Sequence, residues 1–162
     1  MKQIFSINLI ILLIFLFLQT GASAQNADTP KKPVYDAELA KKLGADDMGM
    51  KSYIFVILKT GPNKITNKDT LNTLFAGHFA NINKLADEGK LVVAGPMGNN
   101  ANNYRGIFIL DVKTLEEANA LLENDPTVKQ KIFDVELYKW YGSAALPVYL
   151  ETHSKIEKQQ LK

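Results

Sequence analysis

The chain has 162 residues, 46% of them hydrophobic and 22% charged, which suits one globular core and is short for two. It contains no cysteine, which excludes a disulfide framework, a zinc–thiolate site, a thiol nucleophile and a lipidated cysteine. A net charge of +2 supplies neither the basic surplus of a nucleic-acid binder nor an acidic tail, so no nucleic acid is expected as a partner.

Lys2, the unbroken apolar run Leu9 to Leu18 and the small residues Ala22-Ser23-Ala24 follow one another in the order of a secretory signal peptide. Residues 1–24 are therefore assigned to a signal peptide cleaved after Ala24. The alternative is an uncleaved anchor, since Ile4, Phe5 and Ile7 extend the run toward the roughly 20 apolar residues that span a bilayer. Cleavage predicts an exported protein, periplasmic or secreted, with no membrane attachment afterwards. Residues 25–50 read as a polar tether carrying Pro30 and Pro33, then a short helix from Tyr35 to Leu43 with Asp36 as N-cap and Gly44 beyond its end. A helix that short is marginal alone and is expected to dock on the domain.

Residues 51–141 hold the main domain. Tyr53 to Leu58 is a continuous apolar run closed by Gly61-Pro62, which predicts a strand buried on both faces. Leu71, Leu74, Phe75, Phe79, Ile82 and Leu85 recur at helical spacing and predict a helix over Asp69 to Glu88, stopped by Gly89. Leu91 to Ala94 is a short strand ended by Gly95-Pro96, and the asparagine-rich stretch Asn99 to Asn103 is a loop. Gly106 to Val112 is a second strand apolar on both faces. Thr114 and Glu117 have capping-box spacing and open a second helix that ends at Asn124-Asp125-Pro126. Ile132 to Trp140 alternates and predicts a last strand with one wetter face. Residues 142–162 form a C-terminal extension whose apolar start is expected to drape over the domain or over a partner copy, with Lys155 to Lys162 fraying.

The order β-α-β-β-α-β is that of a ferredoxin-like α+β domain, with the first and third strands central and the fourth at an edge. Both helices cover one face of such a sheet. The apolar residues on the other face predict a homodimer packed sheet to sheet, because soluble monomers rarely expose so large a patch.

His153 lies in the polar tail and reads as surface. His78 falls on the apolar stripe of the first helix and is open to two readings: a core histidine satisfied by one hydrogen bond, or a general base. Topology shifts weight toward the second reading. The end of the first strand, the start of the first helix, Gly95-Pro96, Arg105 and Asp125 all belong to one end of the sheet, and His78 is about two turns into its helix. A carboxylate beside an imidazole fixes one tautomer and suits the ring to proton transfer. Asp125 reads equally as a helix stop before Pro126. Arg105 is the only arginine beside 18 lysines, and it is either a surface charge or a planar fork for a carboxylate, a phenolate or Asp125 itself. Trp140 and Tyr141 read as packing. No phosphate loop, H-E-x-x-H or G-x-S-x-G occurs. Asp46-Asp47 lacks ordered oxygen-ligand spacing, and neither a metal nor a cofactor is expected.

Gly77-His78-Phe79, Leu85-Ala86-Asp87-Glu88-Gly89-Lys90-Leu91, Ala94-Gly95-Pro96, Arg105-Gly106-Ile107-Phe108 and Asn124-Asp125-Pro126 together resemble the YCII-related family, over roughly Tyr53 to Trp140. The resemblance implies a ferredoxin-like domain forming a dimeric α/β barrel, with His78 and Asp125 at the positions of a proposed active-site pair. A few family members resemble dehydrochlorinases of chlorinated hydroxyquinols, while most have no assigned activity. The signal peptide and the asparagine loop depart from the usual compact form.

Two functions are expected from these residues. One is a small cofactor-independent lyase or isomerase, with His78 and Asp125 catalytic, and Arg105 and the backbone at Gly95 binding a small organic anion. The other is a noncatalytic ligand-binding or interaction module of the same fold. The export assignment has its own check: mass analysis of the chain recovered from a secreting host should find Gln25 at the N-terminus, whereas Met1 retained on membrane-bound protein would make the apolar run an anchor.

Overall fold

The computed structural model describes residues 33–159. The assignments made for 1–24 and for the tether up to residue 32 lie outside the described residues. The described residues from Asp36 onward form one compact unit, so the helix before the main domain and the segment after it both belong to that unit.

The short helix α1 (Ala37–Leu43) is bounded as its sequence predicts. The Asp36 side chain accepts from Leu39 N at 2.9 Å, and Gly44 closes it in the left-handed region at φ 70°. None of its side chains is fully buried, and only Ala40 and Leu43 are half-buried, so its own face contributes little. Its caps hold it, together with the turn that follows. There Asp46 accepts from the N–H groups of Met48 and Met50 at 2.9 and 3.0 Å, and from the Tyr141 hydroxyl. The Tyr141 bond, then the Met50 bond, holds the Asp46 carboxyl below its usual value. Asp46 is thus occupied as a turn residue.

The sheet has β1 (Met50–Thr60), β2 (Leu91–Pro96), β3 (Tyr104–Leu110) and β4 (Phe133–Ser143) in the order β2-β3-β1-β4, every neighbouring pair antiparallel. This is the ferredoxin-like α+β arrangement, with the two strands apolar on both faces at the centre. Alternation along β1 divides the core. Ile54, Val56 and Leu58 face the helices with Phe108 and Leu110, while Tyr53 and Phe55 lie on the opposite side with Val92 and Ile109. The helix layer holds α2 (Lys68–Asp87), α3 (Leu115–Leu122) and α4 (Pro126–Lys129). Asn67 caps α2 by accepting from Thr70 N at 2.9 Å, and Thr114 caps α3 by accepting from Glu117 N at 3.1 Å. Asp125 does more than stop α3. It starts α4, with Pro126 at the first helical position, where its missing N–H costs nothing.

The C-terminal segment is more ordered than its polarity suggests. A 3₁₀ turn at Leu146–Val148 leads into α5 (Tyr149–Ile156). Leu146 packs against the Tyr53, Val92 and Ile109 cluster, and the Tyr149 hydroxyl donates to the Val92 carbonyl. Trp140 packs on Tyr53 with the rings tilted by 38° and their centroids 5.7 Å apart, and its indole lies over Gly142, where a Cβ would collide with it. Burial, and then the Asp111 charge, pushes the Tyr53 hydroxyl up to about 12, and that hydroxyl donates to the Ser143 carbonyl at 2.8 Å. The helix-free face is therefore covered in part by the chain's own tail. Phe55, Ile57, Val93 and Ile107 remain half-buried there, and Tyr138 and Trp140 are 50% and 37% exposed.

Candidate functional site

Four segments end or begin at one end of the sheet: β1 leaves at Thr60, β2 at Pro96, β3 enters at Tyr104 and β4 at Phe133. With the first turns of α2 they enclose a cavity of about 710 Å³. Its innermost walls are Leu58, Ile82, Phe108 and His78, all buried, and its mouth carries Asn63, Lys64, Met97 and Arg105, all exposed.

His78 sits on the inward face of α2 with Ile82 and Leu85 and is 6% exposed. Its ring lies among Phe75, Phe79, Phe108 and Phe133, at centroid distances from 5.5 to 6.2 Å. Its Nδ1 is 2.6 Å from Asp125 Oδ2. Asp125 is 0% exposed. Its second oxygen, Oδ1, accepts from the Thr127 backbone N–H at 2.9 Å and from the Thr127 hydroxyl at 2.6 Å. The Thr127 hydroxyl oxygen is also 3.3 Å from His78 Nδ1. Burial alone would push the Asp125 carboxyl up. The hydrogen bonds from His78 and Thr127, with the histidine charge, outweigh it and hold the carboxyl below its ordinary value. With Nδ1 engaged by a carboxylate, the ring nitrogen left for the cavity is Nε2.

The close approach of α2 to α4 makes this contact possible. A Cβ at Gly77 would come within 2.7 Å of Pro126 Cγ, so glycine beside His78 lets the histidine reach the residue before Pro126.

His78, Arg105 and Gly95 all line the cavity, and Asp125 does not. Asp125 lies behind the ring, where α3 and α4 place it, and meets the cavity only through His78. Arg105 does not clamp Asp125, whose oxygens are occupied. Arg105 Nε donates instead to Thr60 Oγ1 at 2.8 Å on the adjoining segment. The asparagine loop sets that position. Asn100 accepts from Asn102 N and Tyr104 N, donates to the Gly98 and Tyr104 carbonyls, and shapes the chain into Arg105. Gly95 lies in the β2–β3 ladder opposite Ile107 and contributes backbone to the wall.

The YCII-related domain family matches residues 53–141. The chain belongs to this family. The YCII-related domain thus includes His78, Gly95, Arg105 and Asp125, and leaves α1, Leu146 and α5 outside it. None of the curated proteins matches the chain. Among solved structures, 5-chloro-2-hydroxyhydroquinone dehydrochlorinase from Burkholderia phenoliruptrix, in complex with 2,5-dihydroxybenzoquinone, is similar at 21% identity and a TM-score of 0.40, over 54% of this chain and 92% of that one.

Thr127 escaped the sequence reading, as did the ring of phenylalanines around His78. The signal for Thr127 was present: Asp-Pro-Thr is an N-cap, a proline suited to the first helical position, and a residue whose N–H the cap can bind.

The Asp125 network predicts a specific acid response. A carboxyl whose folded value lies below its unfolded value of about 3.8 stabilises the fold in full above that value, and the contribution is lost as pH falls through the lower folded value. Urea titrations against pH should therefore give Asp125→Asn a flatter acid limb than the parent. At neutral pH, Thr127→Val should lower stability by about 1–3 kcal/mol and Thr127→Ser should recover most of it. An unchanged Thr127→Val would remove the hydroxyl from the network.

Proposed function

We propose that the protein is an exported, cofactor-independent lyase or isomerase in which His78 moves a proton on a small organic anion. The observation carrying this reading is a histidine lining an apolar cavity with Nδ1 bound at 2.6 Å to a carboxylate that lies outside that cavity. His78 Nε2 takes a proton from an acidic C–H or phenol of the ligand. Asp125 balances the imidazolium that forms, and Arg105 at the mouth offers its charge to the anion. Return of the proton to another atom gives isomerisation, and loss of a leaving group from the electron-rich intermediate gives elimination.

Isotope exchange tests the reading directly. Solvent deuterium should wash into an acidic C–H of a bound organic acid with the parent protein and not with His78→Asn. That variant should stay folded, with a loss of about 1–3 kcal/mol, since asparagine still donates to Asp125. In nitrogen NMR the neutral ring should be the Nδ1–H tautomer in the parent and a mixture in Asp125→Asn. Exchange that survives His78→Asn, or a neutral ring protonated on Nε2, would sink the assignment.

The same reading holds two copies together through the apolar surface that the tail leaves open, around Phe55, Tyr138 and Trp140. Sedimentation at micromolar concentration should give a dimer. A monomer would show that the chain's own tail is cover enough.

A further inference from the structure

The cavity has three properties that bear on what it binds. Its volume, about 710 Å³, lies within the range of pockets that enclose drug-sized ligands, roughly 300–1,000 Å³, and a small acid would leave most of it empty. Its surface is graded. The deep end is Leu58, Ile82, Phe108 and His78, with Phe75 and Phe133 flanking, and the polar side chains Asn63, Lys64 and Arg105 stand at the exposed end. Its charge is one-sided. No aspartate or glutamate lines it, while Lys64 and Arg105 both do.

Neither cation has a carboxylate partner among the described residues. The ion pairs there join Lys51, Lys59, His78, Lys84, Lys90, Lys131 and Lys155 to acids. Lys64 Nζ reaches only the Gly61 carbonyl at 3.4 Å. Arg105 uses Nε on Thr60 at 2.8 Å, and a guanidinium bound there still has two terminal nitrogens that can donate together to a carboxylate. Two cations at the mouth of an apolar, aromatic cavity match a ligand with the opposite arrangement.

We infer that the ligand is an amphipathic carboxylate: an aryl or medium-chain alkyl body lying along Phe75, Phe108 and Phe133 toward His78, with the carboxylate at the mouth on Arg105 and Lys64. This deepens the proposed function by naming its substrate class, and it places the proton that His78 moves on the body of the ligand, away from the carboxylate.

Calorimetric titration separates the parts. 4-Phenylbutyrate and octanoate should bind at least about tenfold more tightly, about 1.4 kcal/mol, than acetate, and more tightly than neutral 4-phenylbutanamide. The double variant Lys64→Gln with Arg105→Gln should lose the preference for acid over amide while still melting as the parent does, since both side chains are exposed. Arg105→Lys should restore part of it. Equal affinity for amide and acid, or an unchanged double variant, would overturn the role of the cations. Acetate binding as well as phenylbutyrate would overturn the apolar body. Tight phenylbutyrate binding supports this ligand class whatever the chemistry, and 4-oxo-4-phenylbutyrate, which carries an acidic C–H beside its ketone, then tests catalysis: tight binding without deuterium exchange at that C–H would count against catalysis alone, so the two readings fail separately.

Discussion

A carboxylate with no exposed surface is the constraint on which the site depends. Asp125 is wholly buried, and an ionised group so placed costs several kcal/mol unless donors meet both oxygens. His78 meets one oxygen, and the backbone and hydroxyl of Thr127 meet the other. Each donor requires something of the chain around it. Thr127 is in reach because Asp125 caps α4, and His78 is in reach because Gly77 lets α2 press against Pro126. A substitution at Gly77 would therefore act on the histidine without touching it. The same network decides which face of the imidazole meets the cavity, since the nitrogen bound to Asp125 is not available to a ligand.

The antiparallel frame explains why these groups meet at one place. In the order β2-β3-β1-β4, the ends of β1 and β2 and the starts of β3 and β4 fall together, and α2 begins above them. Residues distant in the chain thus share one cavity: Thr60, His78, Arg105 and Phe133. The asparagine loop has a structural part in this, because Asn100 binds four backbone groups around itself and delivers Arg105 to the mouth. The result is a cavity whose polar groups are few and placed at its two ends, which is how an apolar site acquires orientation.

The second face of the sheet shows a different balance. Two central strands apolar on both sides need cover on both sides. The helices supply one, and Leu146, Tyr149 and Trp140 supply part of the other from the same chain. The half-buried remainder is smaller than the bare sheet would have presented. The pressure toward a second copy is reduced accordingly, without being removed.

The sequence by itself determined the order of strands and helices, the two-sided character of the central strands, and the caps at Asp36, Gly44 and Thr114. These follow from periodicity and turn chemistry, which act over a few residues. It also marked His78, Arg105 and Asp125 as worth weighing, because each is unusual for its position or type. The tertiary structure alone decided how they are used. Asp125 lies behind His78 rather than in the cavity, and Arg105 is tied to Thr60 rather than to Asp125, because chain crossings set those distances and local pattern does not. Asp-Pro-Thr marks Thr127 as a partner of the Asp125 cap, but not as a neighbour of the site, because that comes from a histidine 49 positions away in the chain. The helix in the tail was equally hidden. Its residues from Leu146 to Ile156 are too few and too polar to predict a helix alone, and they settle only where the sheet offers Tyr53, Val92 and Ile109 to cover.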